Sequence, residues 1–183
     1  MLFAILVMAG AVTLQEAGVE AFDPHGFTAS FTVEIDAPPA VVFDAATGDI
    51  SPWWDHSFAL DPAELVIEPH FGGRFYERLR DGSDDGALHA TVIYVDAPTA
   101  LRLHGPLGLS GRSIDLVTSW TLTPAGDGTQ FQVDLAMQGQ LDAELAAVVL
   151  ATWQHFIGGR LKPWIEAGCH VEPQAPCAAW DSP

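Results

Sequence analysis

Between residues 141 and 167 the apolar positions recur every three or four residues. Leu141, Leu145, Val148, Val149, Trp153, Phe156, Leu161 and Trp164 fall on one stripe. That period predicts a long amphipathic helix with one buried face. Upstream the period changes to two. Residues 27–35, 88–95, 116–122 and 131–137 alternate apolar with polar or carry β-branched and aromatic runs, as strands with one wet face do. Phe31 and Val33 point inward in the first, Val92 and Tyr94 in the second, Trp120 in the third, and Phe131, Val133 and Leu135 in the fourth. A helix stripe of that length needs a concave partner, and a curved antiparallel sheet supplies one.

The intervening segments complete the order. Asp36-Ala37-Pro38-Pro39 ends the first strand and starts a helix, since proline is tolerated in a first turn; Val41, Val42, Phe43 and Ala46 follow at helical spacing and Gly48 closes it. Ser51 before Pro52 predicts a second short helical turn carrying Trp53 and Trp54. Residues 64–68 and 74–79 read as short strands joined through Gly72-Gly73, and residues 100–104 as another. Residues 114–123 and 129–138 form a hairpin around Pro124-Ala125-Gly126-Asp127-Gly128. One local conflict stands out. Gly158, Gly159 and Pro163 interrupt the long helix, which is expected to bend there, either to admit a ligand or to pack closely on the sheet.

Composition narrows the partners. Of 183 residues, 24 are acidic and 7 are Lys or Arg, a net charge of -17 that repels phosphate backbones and anionic lipid surfaces. Nucleic acid is therefore excluded as a partner. The chain is 49% hydrophobic, enough for a real core. Residues 1–14 are apolar but fall short of the roughly 20 residues a membrane-spanning helix needs. They resemble the core of a secretory signal, with Val19-Glu20-Ala21 as a cleavage site, although no basic residue precedes Arg74 and a start at Met8 is the alternative. Cys169 and Cys177 suit a small disulfide loop in an oxidising compartment, or two free thiols.

Four stretches together carry a resemblance: Asp-Ala-Pro-Pro-Ala-Val-Val-Phe at 36–43, Trp53-Trp54, Gly-Gly-Arg-Phe-Tyr-Glu at 72–77, and Val-Asp-Ala-Pro-Thr-Ala-Leu-Arg-Leu at 95–103. With the element order they resemble the START-like (SRPBCC, helix-grip) superfamily, and within it the branch related to the heat-shock-protein ATPase activator. The resemblance covers residues 27–168. It implies an α+β helix-grip fold, a curved antiparallel sheet wrapped around a long C-terminal helix with two short helices after the first strand. The expected organisation is a signal peptide over 1–21, a START-like domain over 22–168 and a tail over 169–183, with export to the periplasm or medium and otherwise a cytoplasmic protein.

The superfamily includes lipid carriers, hormone receptors, allergens, polyketide cyclases and co-chaperone domains, so the fold alone does not choose a function. Seven histidines form no i, i+4 pair or His-Glu-x-x-His pattern, there is no Gly-x-Ser-x-Gly, and the glycines at 105, 108 and 111 lack a P-loop's Lys and Ser or Thr. No metal or cofactor is expected. Acid–base chemistry would need a polar side chain inside the cavity, for which Tyr76, Glu77, Arg78, Tyr94 and Asp115 are candidates. The expected activity is binding of a hydrophobic or amphipathic small molecule between sheet and helix. Its walls would be Phe31, Val92, Tyr94, Trp120, Phe131, Val133, Leu145, Val149, Trp153 and Phe156, and its gate Trp53 and Trp54. A polyketide cyclase/dehydrase-like enzyme and a chaperone-activator-like protein-interaction module are the alternatives; stable membrane insertion of the mature chain is not expected.

Overall fold

The computed structural model describes residues 21–172 and residue 177. The expected leader, except Ala21, lies outside the described residues, as does most of the tail. Eight antiparallel strands form one sheet: β1 His25–Ile35, β2 Gly48–Asp49, β3 Glu64–Ile67, β4 Arg74–Arg78, β5 Gly86–Asp96, β6 Ala100–His104, β7 Ile114–Ala125 and β8 Gly128–Gly139. Their order is β1-β8-β7-β6-β5-β4-β3-β2, so every pair except β1–β8 joins neighbours in the chain. The inner face of the sheet holds Ile35, Leu101, Leu103, Leu116, Trp120, Phe131 and Val133, all nearly solvent-free.

Helix α1, Pro39–Ala46, starts on the expected prolines and ends at Thr47, whose hydroxyl donates to the Phe43 carbonyl at 2.9 Å. The second short helix does not form. Ile50 to Trp54 makes a single turn, with the amides of Trp53 and Trp54 both donating to the Ile50 carbonyl. Its cap is Asp49, whose carboxylate accepts from the Ser51 amide at 3.0 Å and the Ser51 hydroxyl at 2.7 Å, so Ser51 is the capped residue rather than the cap.

The C-terminal helix begins as α2, Ala143–Gln154, with Asp142 accepting from the Leu145 amide at 2.8 Å. It then widens into a π-helical stretch, His155–Leu161, and resumes as α3, Lys162–Glu166. Where a bend was expected, a wide turn forms, with the Lys162 amide donating to the carbonyl of Ile157 five residues back. The buried row explains it. Val149, Trp153, Ile157, Leu161 and Ile165 all lie within 9% of solvent-free. At about 100° per residue an ideal α-helix would carry Val149 and Ile165 to positions about 160° apart around the axis. A turn that holds more residues keeps the fourth-residue row on one face. Pro163 is the second residue of α3 and has no amide, so it donates to neither Gly158 nor Gly159 where the wide turn runs into α3. Lys162 anchors this end by donating to the Glu34 carbonyl at 2.6 Å, and Glu166 accepts from the Asp36 amide at 3.0 Å. Just beyond, Cys169 and Cys177 are joined by a disulfide.

Candidate functional site

An apolar cavity of about 280 Å³ lies between α2 and the sheet. Helix α2 lines it with Leu145, Val148, Val149, Thr152 and Trp153, and the π-helical stretch adds Phe156; the sheet contributes Phe75, His89 and Leu116. Two loops close it, Trp54 to Phe58 on one side and Leu107 to Leu109 on the other. Trp54 stacks on Phe156 at 3.7 Å and meets Phe75 and Trp153 edge-on at 5.2 and 5.8 Å, which makes one wall a rigid aromatic lattice. Its volume is at the lower end of the roughly 300 to 1,000 Å³ of small-molecule sites. A wider groove of about 780 Å³ between Phe22 to Gly26 and Arg112 to Asp115 is open to solvent and more polar.

One buried polar pair reaches the cavity. Glu77 on β4 has a fully buried carboxylate that accepts from the Phe58 amide at 3.0 Å and the Ala59 amide at 2.7 Å, tying the first loop to the sheet. His89, 6% exposed, presents Nε2 to Glu77 at 3.4 Å, close enough to feel its charge but without the alignment of a hydrogen bond. Burial pushes the His89 imidazole below its ordinary value and the Glu77 charge opposes that shift. The ring is held between Phe58, nearly parallel at 5.7 Å, and Phe75 at 4.8 Å.

A second polar group sits at the mouth. Asp55 Oδ2 lies 2.8 Å from His155 Nε2, and Asp55 Oδ1 lies 2.9 Å from His56 Nδ1. Arg160 Nε approaches Asp55 Oδ2 at 3.4 Å. Partial burial raises the Asp55 carboxyl, but the two histidine hydrogen bonds and the Arg160 charge outweigh it and hold the group below its ordinary value.

The cavity takes up Leu145, Val149, Trp153 and Phe156 of the expected walls, and Trp54 of the expected gate. The other expected residues lie elsewhere. Val92, Trp120, Phe131 and Val133 belong to solid core, each at most 1% exposed, because the sheet packs directly on the helix there. Phe31 is a partly buried inner-face residue of β1, away from the cavity lining. Trp53 is no gate: it is 1% exposed and its indole donates to the Ala45 carbonyl at 3.1 Å, plugging α1 onto the core.

Tyr94 points outward, 46% exposed under the Arg102 guanidinium. A β-bulge at Ile93 displaces it, and a second at His89 displaces Leu88. Phe75 pairs with Ala90 but Tyr76 with Leu88, and Val92 pairs with Leu103 but Tyr94 with Arg102, so β5 gains an extra residue at His89 and at Ile93. Strict alternation therefore fails twice; Leu88 and Tyr94 turn out, and His89 turns in. Of the acid–base candidates only Glu77 is buried. Tyr76 donates to Glu64, Arg78 pairs with Glu64 and Asp84, and Asp115 is an exposed partner of His104. Sequence reasoning missed His89 and the Leu107 to Leu109 wall; the Gly105-Pro106 start of that loop was the available signal.

An antiparallel sheet gripping a C-terminal helix over a small apolar cavity defines a START-like protein. The chain belongs to the family described as polyketide cyclase / dehydrase and lipid transport, whose profile matches residues 26–162. Among proteins of curated function, none is recognisably similar to it in sequence. Solved structures share the fold at low identity. A Staphylococcus aureus protein of unknown function, SA2116, matches with a TM-score of 0.62 at 11% identity, over 80% of this chain and 97% of its own. The AHSA1-like protein from Aeromonas hydrophila matches at 0.54 and 22% identity, over 81% and 99%. CalU16 from Micromonospora echinospora matches at 0.53 and 19% identity, over 84% and 81%.

Proposed function

We propose that the protein binds a small apolar or amphipathic molecule in the cavity between α2 and the sheet. The observation that carries this reading is an apolar-walled cavity of about 280 Å³ that holds a single buried ionisable side chain, His89. Apolar walls supply affinity and one directional polar group orients the ligand. His89 would meet a hydroxyl or carbonyl oxygen, with the rest of the ligand against Trp153, Val149 and Leu116. The family description, which includes lipid transport, supports this class of ligand. None of the helices among the described residues is long and apolar enough to cross a membrane. The Cys169–Cys177 disulfide supports export.

The test is an environment-sensitive apolar fluorophore titrated into the wild-type chain and into Val149→Trp. Val149 lines the cavity, so a Trp there fills it. Binding is expected in the wild type and lost in the variant, with little change in thermal stability. No binding by the wild type, together with a cost of roughly 1 to 3 kcal/mol in the variant, would indicate a filled core and favour the protein-interaction reading. One observation favours an enzymatic reading beside it: an imidazole shifted toward its neutral form, inside a cavity, can take and return a proton. Turnover of an aromatic polyketide-like substrate that disappears in His89→Gln would establish that reading.

A further inference from the structure

We infer that Asp55, His56 and His155 form a binding site for a divalent transition metal at the mouth of the cavity. Two imidazoles and one carboxylate are a donor set suited to zinc, cobalt or nickel. Among the described residues this is the sole set of three such groups, and their donor atoms all lie within 4.8 Å of one another. In the tetrahedral geometry usual for zinc, donor atoms about 2.1 Å from the ion lie about 3.4 Å apart. The Asp55–His155 and Asp55–His56 contacts, now 2.8 and 2.9 Å, would open by about 0.5 Å and the widest pair, within 4.8 Å, would close by up to about 1.4 Å, adjustments that rotation of exposed side chains supplies.

The set is assembled by the fold. His155 begins the π-helical stretch, whereas Asp55 follows the Trp53-Trp54 turn a hundred residues earlier. No local spacing in the chain announces it. The cluster is also braced. The His56 ring stands edge-on against Phe156 at 5.0 Å, and Arg160, whose Nε also reaches the Trp53 carbonyl at 3.3 Å, approaches the carboxylate. Asp55 now accepts from both histidines; with a metal bound, the ion lies between the carboxylate and the ring nitrogens while Arg160 stays on the carboxylate and orients it. Among the described residues, the other His–acid contacts, His104 with Asp115 and His89 with Glu77, lack a third ligand. A protein charge of -17 raises the concentration of cations around the site.

His56 and Phe156 line the cavity, so an ion held here faces its entrance. Three protein ligands leave open positions for water or for a chelating oxygen. The proposal stands whatever occupies the cavity, because it is tested with metal alone. Untagged protein stripped with a chelator is titrated with zinc by calorimetry and with cobalt by visible absorption. One equivalent should bind saturably and give an intense cobalt band of low coordination number. His56→Ala and His155→Ala should each weaken binding by at least the roughly 10- to 100-fold that even outer-shell changes cost. His70→Ala, an exposed histidine elsewhere, should leave it unchanged. His56 is exposed, so its variant stays folded, and circular dichroism checks the other two. Absence of a saturable equivalent in the wild type overturns the proposal. So does equal binding by His56→Ala and the wild type.

Discussion

His89 occupies a strand position that simple alternation assigns to solvent, and a bulge turns it inward instead. Its consequence is a dependence of stability on pH. Burial disfavours the charged ring, so near its ordinary value of 6.5 the folded chain holds fewer protons at this site than the unfolded chain does. Stability from this group is complete above that value and is lost as pH falls through it toward the depressed folded-state value. The Glu77 carboxylate opposes the effect without cancelling it. Urea midpoints measured from about pH 7 to about pH 5 should fall more steeply for the wild type than for His89→Gln. Equal slopes would assign the dependence to other groups. At this scale the sequence is readable only where backbone parity is regular. Phe131, Val133 and Leu135 on β8 point inward as their alternation requires, whereas Tyr94 does not, because no residue type marks the bulges of β5.

Among the elements, the loop from Gly105 to Arg112 shapes the cavity most directly. Gly105 is required there by contact: a Cβ would meet the His89 carbonyl oxygen at 2.5 Å and the Ala90 Cα at 2.7 Å. Leu107 then adopts a positive φ of 45°, costly for a branched side chain, and its amide donates to the His89 carbonyl at 2.9 Å. Gly105→Ala should therefore destabilise the fold by roughly 1 to 3 kcal/mol and weaken binding of the apolar fluorophore, since the Leu107 to Leu109 wall must shift. Unchanged urea unfolding and fluorescence would show that the loop relaxes freely. Strands and the main helices were legible from periodicity, with ends within a few residues. The second short helix was not, because Asp49 could compete with Ser51 for the cap, and a single unextended turn formed. The two glycines and the proline flagged the C-terminal helix correctly as irregular, but only the drift of its buried row explains a wide turn rather than a bend.

For the whole molecule, periodicity gave a curved antiparallel sheet facing one long helix, and the resemblance carried by residues 36–43, 53–54, 72–77 and 95–103 supplied the helix-grip fold. The site was legible only in part. The helix side of the expected cavity, Leu145, Val149, Trp153 and Phe156, lines the observed one, whereas the expected sheet side does not. Elsewhere Trp120 and Phe131 fill the space, packed edge-on at 5.4 Å. Which stretch stays unfilled depends on packing volumes that alternation cannot report. Location belongs to this scale too. The bridge closes an eight-residue separation directly after α3, in keeping with an oxidising compartment. Intact-mass analysis of protein from its native host should find a chain beginning near Phe22 and two hydrogens lighter than the dithiol form. A chain beginning at Met1 or Met8 with both thiols free would contradict export.

The wide turn of the C-terminal helix also has a genealogical consequence. A π turn holds one residue more than the α turn it replaces, and such turns sit inside otherwise regular helices. A relative that keeps an α-helical turn in place of His155–Leu161 should be one residue shorter between the equivalents of Trp153 and Trp164. Alignments that permit gaps only in loops would then match one of those tryptophans to its counterpart and displace the other by a position, turning a shared core residue into an apparent substitution.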